Sequence, residues 1–216
     1  MQDLLGNVAF FRRPSIQSAG FALGLFLAAC ASTGPTKQEQ NPWLKPSPTL
    51  RQQIQDQTAR LPWTHGAERV EQIRWFAGVG EPAYNALLRL CLDRRPDVAG
   101  AALAALGATQ DSRLVNSLHA LDWPQELDRG VELERARTYV RLGDWDPVHV
   151  LIDGLSDNNL WARSWCAQAL AEATGQRFGY DPKAQIGERE AAVARWREWI
   201  ASRAGEGILA ANIADQ

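Results

Sequence analysis

Histidines, cysteines and paired carboxylates are the residues of this 216-residue chain best able to do chemistry, and their spacing argues against most of it. His65, His119 and His149 stand apart, with no second histidine or cysteine at metal-ligand spacing. His149 precedes Asp153 by four residues, so one helix face could hold both, and His119 stands three before Asp122. A helix-surface or half-buried histidine accounts for either pair without a reaction. Asp153 and Asp157, again four apart, read as a solvated face rather than an acid–base pair. Gly175 and Gly179 follow a helical pattern instead of a strand, which removes the phosphate-loop reading. There is no Gly-x-Ser-x-Gly and no Cys–His pair at a supportive spacing. The expectation is no catalytic residue, no metal and no organic cofactor.

Recognition chemistry is better represented. Nine tryptophans are unusual at this length. Trp161 and Trp165 lie four apart with Arg163 between them, and Arg135, Arg137 and Tyr139 fall on the preceding long helical segment. Tryptophan and arginine are the types enriched at binding hot spots. These six residues are the candidate protein-binding patch, with packing between neighbouring helices as the other reading of the same cluster. Trp63, Trp75, Trp196 and Trp199 are expected to cover core at the two ends of the molecule. Trp123 and Trp145, on or beside inserted loops, are expected to be exposed.

The elements that must position these residues read as helices throughout. Leu50, Ile54 and Leu61 suggest a first helix ended by Pro62, and Val70, Ile73 and Ala77 share one face of a second. Gly78-Val79-Gly80-Glu81-Pro82 is a turn with proline in a first helical turn, where its missing N–H costs nothing. No stretch alternates in the manner of a strand. The fold class is all-α.

Helix ends also recur. Gly78, Gly107 and Gly143 close helices, and each is followed about four residues later by a helix start at Glu81-Pro82, Asp111-Ser112 or Asp146-Pro147. Residues 81–107, EPAYNALLRLCLDRRPDVAGAALAALG, align with residues 146–175, DPVHVLIDGLSDNNLWARSWCAQALAEATG. Pro82 meets Pro147, Leu87 meets Ile152, Asp93 meets Asp157 and Ala105-Leu106 meets Ala169-Leu170. These units resemble bacterial HEAT repeats, whose second helix carries a D-x-x-P-x-V-R-x-x-A-A-x-A-L pattern. Arg95-Pro96-Asp97-Val98 through Leu106 fits, with Ala99 at the usual arginine position. Arg163 keeps that arginine, while Ala162 replaces the valine and Leu160 the proline. The middle unit is degenerate in GVELERARTYVRLG and carries the insertion DWPQELDRG.

The ending Thr174-Gly175-Gln176-Arg177-Phe178-Gly179-Tyr180-Asp181-Pro182, followed by Ala192-Val193-Ala194-Arg195-Trp196-Arg197-Glu198-Trp199, is similar to the close of bacterial HEAT-repeat proteins. The resemblance implies a short α-solenoid over residues 50–205 with an aromatic capping helix, and a tail over 206–216. A solenoid needs such a cap with a polar outer face.

Cys30 stands in a different setting from Cys91 and Cys166. Residues 19–29 form an apolar run too short for the roughly 20 residues of a membrane span and suited to a signal-peptide core. Arg12 and Arg13 flank it. Leu27-Ala28-Ala29-Cys30 resembles a bacterial lipobox, which implies removal of residues 1–29 and acylation of Cys30 with diacylglycerol and further acyl chains. Ala31, in place of an aspartate after the cysteine, leans to the outer membrane facing the periplasm. Residues 30–49, rich in Pro, Ser, Thr and Gln, are expected to form a tether. Cys91 and Cys166 sit among apolar helical residues two repeats apart, farther than the roughly 7 Å limit for a disulfide, and are expected to be free.

The chain has a formal net charge of −2, and loss of Asp3, Arg12 and Arg13 with the signal segment leaves it near −3. That excludes the basic footprint of a nucleic-acid binder. It also leaves membrane contact to the lipid alone. The expected role is a monomeric, membrane-tethered scaffold or adaptor that holds a protein or peptide at the cell envelope. A lyase- or chaperone-like protein that binds a small cofactor or pigment is the alternative.

Overall fold

A computed structural model describes residues 42–204, and these are α-helical with short connections and no strand among them. Cys30, the expected signal segment and the tail from 206 lie outside the described residues. Among the described residues nine α-helices run in order: α1 Pro48–Arg60, α2 Gly66–Val79, α3 Glu81–Leu90, α4 Pro96–Ala108, α5 Leu114–His119, α6 Arg129–Arg141, α7 Val148–Gly154, α8 Leu160–Thr174 and α9 Ile186–Ala204. A 3-10 turn, Leu61–Trp63, links α1 to α2.

Helix ends follow from local chemistry. Proline occupies the first turn of α1, α3 and α4, where no backbone N–H is needed. Asp128 caps α6 by accepting from the Gly130 N–H at 2.8 Å, and Asn159 caps α8 by accepting from the Trp161 N–H at 2.9 Å. Gly175, at φ +69°, closes α8 in the left-handed conformation that glycine adopts without steric penalty.

The folded body starts earlier than the expected tether boundary at residue 49. Ser47 caps α1, its Oγ accepting from the Leu50 N–H at 3.2 Å. Trp43 is only 6 % exposed and meets the Tyr84 ring edge-on at 5.0 Å. The Leu44 N–H donates to Glu81 Oε2 at 3.2 Å. Trp43 and Leu44 are therefore docked on α3, where the indole finds a partner for its large apolar surface.

Apolar side chains gather in two main cores that meet on α6. Leu87, Leu103, Leu106, Leu114 and Leu118 belong to the first, with Val131 and Tyr139 from α6 and Leu142 just beyond its end. Leu151, Leu155, Leu170 and Trp196 belong to the second, with Leu133, Ala136 and Val140 from α6. Each fully buried leucine contributes about 1.5–3 kcal/mol relative to exposure. With two faces of α6 in cores, a third is left for polar residues.

Packing between helices relies on small residues. A Cβ on Gly107 of α4 would stand 3.3 Å from Thr138 Cα of α6, and the Thr138 hydroxyl donates to the Leu103 carbonyl at 3.0 Å. Gly154 of α7 faces the Cys166 thiol so closely that a Cβ would overlap the sulfur. Cys91 and Cys166 are buried free thiols. Burial pushes both thiols up, Cys166 to about 12, so neither carries appreciable thiolate at neutral pH.

Several tryptophans sit differently from the sequence expectation. Trp63 is 79 % exposed on the 3-10 turn rather than covering core. Trp123 and Trp145 are half-buried, each packed against one of the two cores. The Trp123 indole N–H donates to the Leu118 carbonyl at 3.0 Å, which draws the loop between α5 and α6 inward. On α2 the buried residues are Gln72 and Phe76, while Val70 is exposed. Gln72 turns inward because Thr64 and Gln57 supply its hydrogen bonds at 2.8–2.9 Å. Trp196 is fully buried, with Phe178 at 4.8 Å and Trp199 at 5.8 Å around it.

Candidate functional site

A groove of about 630 Å3 crosses the first halves of α4, α6 and α8. On α4 it is floored by Gly100, Ala101 and Ala104, which carry little or no side chain and so leave the hollow open. Val131 and Glu134 of α6 form the next strip, and Trp161, Ala162 and Trp165 of α8 form the far wall. The two indoles stack at 5.5 Å with an interplanar angle of 14°, and Trp161 remains 55 % exposed.

The charges at the rim are mostly paired. Arg69 meets Asp97 at 2.8 Å, and Arg129 meets Asp157 at 3.2 Å and Glu132 at 2.6 Å. Asp128 is engaged as the α6 cap.

Glu134 is different. It is 5 % exposed, and neither of its carboxylate oxygens has a hydrogen-bond partner among the described residues. The nearest cation, Arg137 Nη1, stands 3.5 Å from Glu134 Oε2, beyond a good hydrogen bond. Arg137 is itself drawn to Glu172, which it meets at 2.7 Å, and its guanidinium lies 4.5 Å from the centre of the Trp165 ring. Burial pushes the Glu134 carboxyl up to about 7; Arg137 and Arg141 pull the other way without offsetting it. The Trp165 Nε1 is likewise buried without a hydrogen-bond partner among the described residues. Such orphaned polar groups are few in folded proteins and mark places where something else completes the bonding.

Of the six residues expected to form a patch, Trp161, Arg137 and Trp165 come together here and the other three do not. Arg163 turns away and ties the loops on either side of α8: its Nε donates to the Pro182 carbonyl at 2.9 Å and its Nη1 to the Asp157 carbonyl at 2.8 Å. Arg135 lies over Trp123 at 5.0 Å. Tyr139 is buried and stacks on His119 at 4.6 Å. The reason is helical phase. Two positions two apart on an α-helix differ by roughly 200°, so Arg135 and Tyr139 face away from Arg137, and Arg163 away from its flanking tryptophans.

Glu134 is the residue that the sequence reading missed. Its one signal is register: at 3.6 residues per turn it joins Arg137 and Arg141 on one face of α6.

The chemistry-bearing residues outside the groove are engaged in structure. His119 Nε2 contacts Asp144 Oδ2 at 2.7 Å, His149 Nδ1 contacts the Asp146 carbonyl at 2.8 Å, and Asp153 meets Arg197 at 2.9 Å. Among the described residues no group of three or more His, Cys, Asp or Glu could hold a metal ion, and no helix is long and apolar enough to cross a membrane. Comparison with protein-family models, curated proteins and solved structures gives no match for the chain.

Proposed function

We propose that the chain is a binding module, a short HEAT-like α-solenoid that is tethered to the bacterial cell envelope by acylated Cys30 and holds a protein or peptide in the groove over α4, α6 and α8. The observation that carries this reading is the groove itself. An aromatic wall and a buried carboxylate with open bonding capacity stand together on one face, which is the composition of a recognition site. The helix pairs α3–α4 and α7–α8 fall where the two matching sequence units lie, which supports the repeat reading. Buried Trp196 on α9 supports that helix as the closing cap.

The lipobox resemblance at Leu27-Ala28-Ala29-Cys30 supports the tether and a place at the outer membrane facing the periplasm. Acyl chains in pairs or threes anchor stably where one chain holds only marginally. The module acts as a monomeric scaffold without catalysis.

A second reading, a chaperone or lyase for a small cofactor, draws on the groove volume, which lies within the roughly 300–1,000 Å3 of small-molecule sites. The discriminating experiment is crosslinking capture from gently solubilised membranes with wild type and Cys30→Ala in parallel. The adaptor reading expects wild type to sediment with membrane and to bring down an envelope protein that the variant releases. Wild type that sediments but yields only a small ligand moves the conclusion to the second reading. Equal behaviour of the two proteins removes the tether.

A further inference from the structure

We infer that Glu134 is the anchor for a guanidinium, and that the groove therefore takes an extended peptide segment through an inserted arginine side chain flanked by the Trp161–Trp165 wall. This rests on the reading of the groove as the binding face and names what that face selects.

Three observations carry it. Both oxygens of Glu134 are without a hydrogen-bond partner among the described residues, and the side chain is 6 % exposed. A carboxylate with two open oxygens matches the two parallel N–H groups of a guanidinium, a fit that an ammonium cannot reproduce. Of the four carboxylates in the groove lining, Asp97 and Asp157 are paired with Arg69 and Arg129 and Asp128 caps α6, which leaves Glu134 as the one without a hydrogen-bond partner among the described residues and open to a cationic guest. Arg137 does not fill the role, because its Nη1 stands 3.5 Å from one Glu134 oxygen while its short contact is to Glu172 and its guanidinium carbon lies over the Trp165 ring. The exposed ring of Trp161 offers a second cation a face of the same kind that Trp165 offers Arg137.

An extended peptide fits better than a free arginine-like molecule. The groove spans three helices and is open, so a side chain reaching Glu134 leaves its backbone over the small residues Gly100 and Ala104 of α4.

The test uses the immobilised full-length chain and three pools of capped heptapeptides with random flanks and arginine, lysine or norleucine fixed at the centre. Wild type is compared with Glu134→Gln and Trp161→Ala, each first shown by thermal melting to be folded. The inference expects the arginine pool to be retained at least about tenfold over the norleucine pool, the value of one charge-assisted pair. It also expects Glu134→Gln to abolish that preference, and retention to rise as the pH passes upward through about 7.

Retention that Trp161→Ala reduces but that ignores the central residue overturns the guanidinium assignment and leaves the groove reading standing. Lysine retained as well as arginine, or an arginine preference that survives in Glu134→Gln, overturns it too. No retention of any pool, or retention that Trp161→Ala leaves unchanged, overturns the groove reading and the inference with it.

Discussion

Glu134 has a measurable signature even without a ligand. Burial raises its carboxyl from the ordinary 4.5 to about 7, so the folded state binds a proton over a range where the unfolded chain has released it. The contribution to stability is fully present below about pH 4.5 and is lost as the pH rises through about 7. The charged groups facing it are Arg137 and Arg141 on α6 and Glu172 on α8. Glu134→Gln keeps the shape and removes the ionisation. In urea titrations it should match wild type within about 0.5 kcal/mol at pH 4.5 and exceed it by about 2 to 3 kcal/mol at pH 8.5. Equal pH profiles for the two proteins would show Glu134 to be hydrated and ordinary. How much of this site was legible follows from helical geometry. Trp161, Trp165 and Arg137 stood out by residue type. Arg135, Tyr139 and Arg163 were grouped with them by nearness in sequence, which a turn of roughly 100° per residue does not respect. Glu134 stayed hidden because its burial comes from α4 and α8, and one helix's pattern does not show what its neighbours cover.

At the scale of elements, the packing of α7 on α8 is the sharpest feature. Gly154 is helical with no need for a left-handed φ, so its requirement is space: a methyl there would overlap the Cys166 sulfur. Gly154→Ala should destabilise the fold by about 1 to 3 kcal/mol, the usual range for overpacking. Cys166→Ala opens room for that methyl, so the double variant should recover part of the loss, with a coupling of about 0.5 kcal/mol or more in a double-mutant cycle. Strict additivity would mean that α7 moves as a rigid body instead. The element pattern itself was readable, because glycine, proline and Asp/Asn mark helix ends by backbone chemistry that acts locally. Gly80, Gly175, Pro82 and Asn159 all act at helix ends, whereas Gly78 and Gly107, read from the sequence as helix closers, lie within the last turns of α2 and α4. The start of the folded body was not readable, since Trp43 is held by Tyr84, a partner 41 positions on, and composition around Trp43 says only that the segment is polar.

For the whole molecule, the proposal is that a helical body carries one binding face, the groove over α4, α6 and α8. Trp161 and Trp63 give a matched pair for testing it, since both are exposed tryptophans but only Trp161 lines the groove. A photo-crosslinking amino acid replaces each in turn, in the full-length chain expressed in its own cells, and adducts formed on illumination are compared. Replacement at 161 should leave the melting temperature near that of wild type, because an exposed side chain contributes little to the core. The account predicts a discrete adduct from position 161 that disappears in the Glu134→Gln background, and none of that mass from position 63. An equal adduct from both positions would contradict the claim that the groove over α4, α6 and α8 is the site of recognition, and one from position 161 that is indifferent to Glu134 would contradict the anchoring role of that carboxylate.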